Sequence, residues 1–271
     1  TVTVNAGTLA LPAESALGVD LVAPTPAALT FLANGGLRTA ADLTLSANRG
    51  LALDRDTGGV FAPAAGTTLT INGVIVATAG AGNGLTGGNL THAGNGTLVL
   101  AGANSFAGAV AVTNDGATLV VRNAAALGSG SALAAVAGAN LTLDLAGAPL
   151  TLAKTLTIGA NNNKVLTLEQ GGSDLAITGG LAGAGNLTQA SSGKLSLGGV
   201  SAHTGKLSLA ANSTLELTSA TALNGFGSPD SLVFRGAGTL RYLAAPGLTA
   251  DASGILAPVA TGATLTIDTG A

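Results

Sequence analysis

The sequence predicts an all-β protein, a right-handed parallel β-helix (solenoid) with about three short strands per rung. Three observations predict it. Short segments alternate large apolar residues with small or polar ones, the period of two that a half-buried strand requires. Gly, Asn, Asp or Ser interrupts them every few residues, where a coil must turn. Long stretches of the 271-residue chain also recur with drift, the mark of a stacked-repeat architecture.

Composition agrees with a thin, repetitive core. Hydrophobic residues make up 47% of the chain but aromatic residues only 2%, so the apolar content is mostly Ala, Leu and Val. A roughly spherical core normally draws on larger aromatic anchors. Charged residues are 8% and the formal net charge is -3. With no basic stripe and a single tyrosine, a nucleic-acid partner is not expected. High apolar content with low net charge also argues against disorder. The absence of cysteine excludes a disulfide-stapled or thiolate-metal protein. The opening residues TVTVNAGTLAL have neither the basic start nor the apolar run of a signal peptide. The most apolar window, residues 132–150, contains Asn140, Asp144, Pro149 and glycines and makes a poor membrane helix, so no membrane insertion of this segment is expected.

Strands are expected in order at Leu43 (LTLSA), Leu69 (LTING), Leu98 (LVLAG), Leu119 (LVVRN) and Leu141 (LTLDL). They continue at Leu156 (LTIGA), Leu166 (LTLEQ), Leu195 (LSLGG), Leu215 (LELTS) and Leu265 (LTIDT). Strong strands recur about every twenty residues, which suggests about a dozen rungs spaced ~4.8 Å apart. Residues 122–139 are rich in helix-forming alanine, but Gly128, Gly130 and Gly138 limit them to one short turn.

The repeat is explicit. GTLVLAGANSFAGAVAV (96–112) aligns without gaps to GKLSLGGVSAHTGKLSL (193–209). The following ATLVVRNAAALG returns as STLELTSATALNG and, at the start of the chain, as GTLALPAESALG (7–18). A second block beginning at Gly66 recurs from Asn163 and starts again in TGATLTIDTGA (261–271). The expected organisation is a single continuous β-helix segment over residues 1–271, built from degenerate units of roughly a hundred residues. The clearest motif copies are 94–128 and 192–225, with partial copies at 1–18 and 261–271. Neither end reads as a capping repeat, so a window from a longer array is expected.

Residues 94–128 resemble the autotransporter-associated β-strand repeat, also called the passenger-associated transport repeat. The resemblance is carried by Gly94, Gly96, Thr97, Leu98, Leu100, Gly102, Asn104, Phe106 and Gly108. Val110, Val112, Thr118, Leu119, Val121, Ala126, Leu127 and Gly128 complete it. In the second copy Ser201 replaces the asparagine, His203 the aromatic and Asn224 the last glycine, while the first copy keeps only the tail through Leu17 and Gly18. The resemblance implies an extracellular segment of a secreted bacterial passenger, exported with a C-terminal translocator β-barrel and displayed at the cell surface. The corresponding role is a rigid stalk supporting export, display and adhesion, with self-association or cell-surface contacts as its interactions. A self-assembling extracellular filament or matrix protein is the alternative, and a β-helical polysaccharide lyase or hydrolase a third reading.

That third reading needs acids clustered with Lys or Arg on one face of neighbouring rungs. The ten aspartates are scattered, and only Asp54 and Asp56 are close in sequence, although stacking can join distant ones. Converging acids with a basic residue in a groove would favour the enzyme. We expect no enzyme, no catalytic residue, no cofactor-binding residue, no metal ligand and no cofactor. Asp54 and Asp56 in LDRDTGG hold half the donors of a calcium loop, opposed by Arg55, and read better as a solvated loop. His92 aligns with Gln189 and His203 with Phe106, so both histidines are expected at surface or filler positions. GAGNG at Gly80 and GAGN at Gly183 lack the following Lys-Ser/Thr of a phosphate loop and read as turns. The Asn-x-Ser/Thr triplets at Asn89, Asn95, Asn140, Asn186 and Asn212 read as turn and strand-edge asparagines. Asn161, Asn162 and Asn163 suit either a stacked asparagine ladder or an exposed loop.

Overall fold

The structure, a computed structural model, describes residues 1–78, 87–130, 132–136, 138–160, 164–243 and 252–269. The turn at Gly80 and the run Asn161–Asn163 lie outside the described residues. The chain divides into two compact units, Thr1–Ala134 and Ala135–Ala271. Each is a parallel β-solenoid.

In the first unit the chain visits three sheets in rotation. The first holds Val2–Asn5, Thr25–Leu32, Arg49–Leu53 and Ile75–Ala77. The second holds Thr8–Ala10, Gly36–Thr39, Gly59–Pro63, Leu90–His92 and Val110–Val112. The third holds Leu43–Leu45, Thr68–Ile71, Thr97–Leu100 and Thr118–Val121. Their pairing is parallel and in register, so identical positions stack: Leu43, Leu69, Leu98 and Leu119 form one column. Leu45, Ile71, Leu100 and Val121 form the next. All eight are buried. Alternation along each strand sends the intervening Thr70 and Val120 outward, which is why the period of two survives in the sequence.

The second unit follows the same plan. One sheet holds Thr155–Gly159, Leu181–Gly183 and Ala202–His203. Another stacks Asn140–Leu143, Val165–Glu169, Asn186–Gln189, Leu207–Leu209 and Leu232–Phe234. The longest stacks Leu150–Leu152, Leu175–Ile177, Lys194–Leu197, Ser213–Leu217, Gly238–Tyr242 and Leu265–Asp268. Its buried column runs Leu150, Leu175, Leu195, Leu215 and Leu240, and Ile267, in register with Leu240, is exposed.

All ten expected strands are present. Rung length is less uniform than the sequence suggests: stacked partners are 20 residues apart at Leu175, Leu195 and Leu215 but 29 apart at Leu69 and Leu98. Longer excursions between strands absorb the difference, so the chain makes fewer turns than a dozen. Strands Val2–Asn5, Thr25–Leu32, Arg49–Leu53 and Gly59–Pro63 were not among those expected. The alanine-rich stretch forms a tight turn at residues 123–127 and then the strand Ala132–Val136.

The two motif copies reproduce one another locally. Leu90 pairs with Val110 and Leu98 with Leu119; in the second copy Leu187 pairs with Leu207, and Leu195 with Leu215. The Ala-Leu-Gly tail closes the same turn each time. Ala126 N donates to Asn123 O and Gly128 N to Ala125 O; Ala222 N donates to Ser219 O and Asn224 N to Thr221 O. In the partial copy, Ala16 N and Gly18 N donate to Ala13 O and Ser15 O, within the short 3-10 turn Glu14–Leu17.

The motif residues now have physical roles. Asn104 is buried, accepts from Ile75 N at 2.8 Å through Oδ1 and donates to Ala126 O at 2.6 Å through Nδ2. One side chain thereby ties three successive rungs. Phe106 is fully buried, and Gly128, at φ 65°, passes so near that an added Cβ would lie 2.3 Å from Phe106 O. Side chains are excluded there by both backbone conformation and space. In the second copy Ser201 Oγ donates to Leu181 O and accepts from His203 N, each at 3.3 Å, and His203 fills the aromatic position against Phe226, ring centroids 5.1 Å apart.

Candidate functional site

Among the described residues, the outward face of the longest sheet in the second unit brings together five charged side chains. The strands place Asp174 and Lys194 just before the stacked Leu175 and Leu195, and Glu216, Arg241 and Asp268 just after Leu215, Leu240 and Ile267. Because flanking residues of stacked leucines point outward, side chains distant in sequence meet. Lys194 Nζ lies 3.5 Å from Asp174 Oδ2 and 3.7 Å from Glu216 Oε1. Ser196 donates to Glu216 Oε1 at 2.7 Å, and Arg241 Nη1 lies 3.9 Å from Glu216 Oε2. Arg241 Nε donates to Asp268 Oδ2 at 2.7 Å. Asp174, Lys194 and Glu216 line a groove of about 420 Å³, together with the small residues Ala176, Ser196 and Gly198.

None of these residues was singled out in the sequence. The signal was present as spacing: each charged residue adjoins a stacked leucine or isoleucine, and Asp174 and Lys194 are 20 residues apart, one rung. Reading it required the register, which the variable rung lengths obscure.

Asp54 and Asp56 do not join this group. Asp54 closes its own loop, accepting from Ala33 N at 2.8 Å through Oδ2 and from Asp56 N at 2.8 Å and Thr57 N at 3.2 Å through Oδ1. The Ala33 N–H above all holds its carboxyl below the ordinary range, and the Asp56 and Thr57 hydrogen bonds add to it against the opposing effect of burial. Among the described residues, no group of three His, Asp or Glu side chains is placed to hold a metal ion. Asn89 and Asn186 accept from Ala109 N and Lys206 N, each at 2.9 Å, and Asn114 donates to Asn95 Oδ1. Asn212 turns the chain at φ 61° and Gly183 at φ 90°.

The histidines are fillers, and neither is at the surface: both are fully buried. His92 ring nitrogens face Phe61 O at 3.4 Å and Gly96 O at 3.2 Å. Neither ring nitrogen of His203 has a hydrogen-bond partner. Burial pushes both pKa values below that of an ordinary histidine, and neighbouring backbone carbonyls offset only part of this. The unfolded chain therefore binds more protons just below the ordinary histidine range. This contribution to stability is complete above about pH 6.5 and is lost as the pH falls toward the depressed folded values. His203→Phe restores the aromatic of the first copy and is expected to flatten the fall in urea midpoint between pH 7 and 5. An unchanged slope would show that His203 is not buried neutral.

Glu14 anchors the excursion over residues 11–24. Its Oε1 accepts from Ser46 N and from Arg49 Nε, each at 2.9 Å, and Arg49 Nη2 donates to Val19 O at 3.1 Å. Burial pushes the Glu14 carboxyl up, but the Ser46 and Arg49 hydrogen bonds outweigh it and leave the pKa low.

No helix among the described residues is long and apolar enough to cross a membrane. No family model and no solved structure matches the chain. Over 191 residues, 68% of the chain, the sequence is 32% identical to the adhesin BmaC autotransporter of Brucella suis biovar 1 (strain 1330). The chain covers 5% of that protein's length, so the similarity is to a short stretch of an autotransporter adhesin.

Proposed function

We infer that the chain is a structural, non-catalytic segment of a secreted bacterial surface protein, a stalk that is exported, displayed on the cell and used in adhesion. The single observation that carries this reading is the 32% identity to an autotransporter adhesin across most of the chain. The physical design supports it. Each rung presents unpaired backbone groups on which the next can form, so folding can proceed from one end as a chain emerges. In-register leucine columns give each unit lateral stiffness without an aromatic core. A C-terminal translocator barrel elsewhere in the full protein belongs to the same proposal. Asp174 and Glu216 converge on Lys194 in one groove, the arrangement that would favour a β-helical polysaccharide lyase or hydrolase. We read it as non-catalytic because both carboxylates are held in ion pairs, and cleavage of a polysaccharide by the purified chain would overturn that reading.

The test is to fuse the 271-residue chain to an outer-membrane translocator barrel in a Gram-negative host. Surface labelling of intact cells and increased attachment to epithelial monolayers are expected. Retention in the periplasm would overturn the reading. Labelled cells that attach no better than the barrel alone would remove adhesion from it. Ordered fibres of the purified chain under the electron microscope would favour the filament alternative.

A further inference from the structure

We propose that the groove on the longest sheet of the second unit binds a short neutral saccharide chain. This goes beyond surface display and stands independently of it. The outer face of a solenoid sheet is ordinarily a flat array of one side chain per rung. Here Ala176, Ser196 and Gly198 are too small to fill it, and the surface dips between Pro149 and Glu216. A volume of about 420 Å³ lies within the range of sites that hold small ligands. Four rungs contribute, so the groove crosses about 14 Å of stacked strands. That length suits a linear chain of a few sugar residues.

The lining is matched to hydroxyl groups, which both donate and accept. Asp174 and Glu216 supply fixed acceptors, Lys194 a donor, and Thr151, Thr178 and Thr218 side-chain hydroxyls. The Lys194 pairings and the Ser196 hydrogen bond hold the carboxylates in place before a ligand arrives, which lowers the ordering cost of binding. Asp174, Glu216 and the flanking Asp268 against Lys194 and Arg241 leave the groove and its rim slightly negative, which disfavours phosphate and sulfate chains. Lys194 sits between those carboxylates, so a cationic peptide meets a like charge where it would need an acid. A neutral polyol meets neither obstacle. No aromatic side chain lines the groove, so stacking is missing and affinity per site is modest.

The experiment is a nitrogen-15 NMR titration of the whole 271-residue chain with cellotetraose, maltotetraose and mannotetraose, and separately with a heparin tetrasaccharide and tetralysine. At least one neutral tetrasaccharide is expected to give saturable shifts with a Kd on the order of 1 mM. Ala176→Tyr, which fills the floor, is expected to weaken binding at least about tenfold by occupying the ligand's volume, and Asp174→Asn several-fold by removing a charged acceptor. Both substitutions are at outward positions and are expected to keep the parent's thermal unfolding. Three outcomes would overturn the proposal: no saturable shift with any neutral tetrasaccharide, binding undiminished in folded Ala176→Tyr, or binding of the heparin fragment or tetralysine alone. Because the titration uses purified protein, failure here is distinguishable from failure of surface display.

Discussion

Leu98→Ala is expected to lower the stability of the first unit by about 2–5 kcal/mol, read as a large drop in the urea midpoint by circular dichroism. Leu98 is fully buried in the middle of its column, in register with Leu69 on one side and Leu119 on the other. Truncation removes apolar area and leaves a cavity between two rungs. Hydrogen-bonded strands on both sides set the rung spacing, so the neighbours cannot close the cavity by moving together. Leu195→Ala, the aligned position in the second unit, between Leu175 and Leu215, is expected to behave alike. Thr70→Ala, on an outward position of the first unit, is expected to change stability by about 0.5 kcal/mol or less. Equal effects at Leu98 and Thr70 would contradict the inward and outward assignment of the strand.

The second large effect is expected at Asn104. Asn104→Ala leaves Ile75 N–H and Ala126 C=O without the partner that Asn104 supplies, at a cost of about 3 kcal/mol. The hydrogen bonds join three rungs, so their loss removes cross-links that no strand pairing replaces. Asn104→Ser is expected to fall between the parent and the alanine variant. A serine is too short to span both neighbours, as the second copy illustrates: Ser201 accepts from His203 N and reaches Leu181 O, a single adjacent rung. If Asn104→Ala and Asn104→Ser both unfold at the parent's urea midpoint, the asparagine has no stapling role and the motif owes it to something else.

Much of the fold was legible because a solenoid writes its geometry directly into sequence. Leu98, Leu100, Leu119 and Val121 alternate with outward residues, and Gly108 marks a corner where an added Cβ would lie 2.5 Å from Asn89 N. Local rules suffice for such elements, since each strand repeats the last. The first sheet was harder. Thr25–Leu32 contains Pro26, and its pairing with Arg49–Leu53 shifts register between Thr25 and Leu29. Arg49 is buried by pairing with Glu14, 35 residues away, which no local pattern announces. Alignment with Gln189 and Phe106 left the histidines at surface or filler positions, and choosing between the two depends on the rungs above and below. The groove was hidden for the same reason. Asp174, Lys194 and Glu216 look like isolated surface charges until 20-residue rungs set Asp174 beside Lys194 and Glu216 beside Ser196, two positions further along.

Register is the central claim, and disulfide cross-linking tests it most directly, because the chain has no cysteine of its own. Thr97 and Thr118 are parallel partners on adjacent rungs. Their Cα atoms are about 4.8 Å apart, within the span a disulfide bridges. The Thr97→Cys/Thr118→Cys variant is expected to form an intramolecular disulfide under mild oxidation. The Thr97→Cys/Val120→Cys variant, two residues out of register, is expected not to. Cross-linking of the second pair in preference to the first, or of neither in folded protein, would contradict the stacked parallel solenoid.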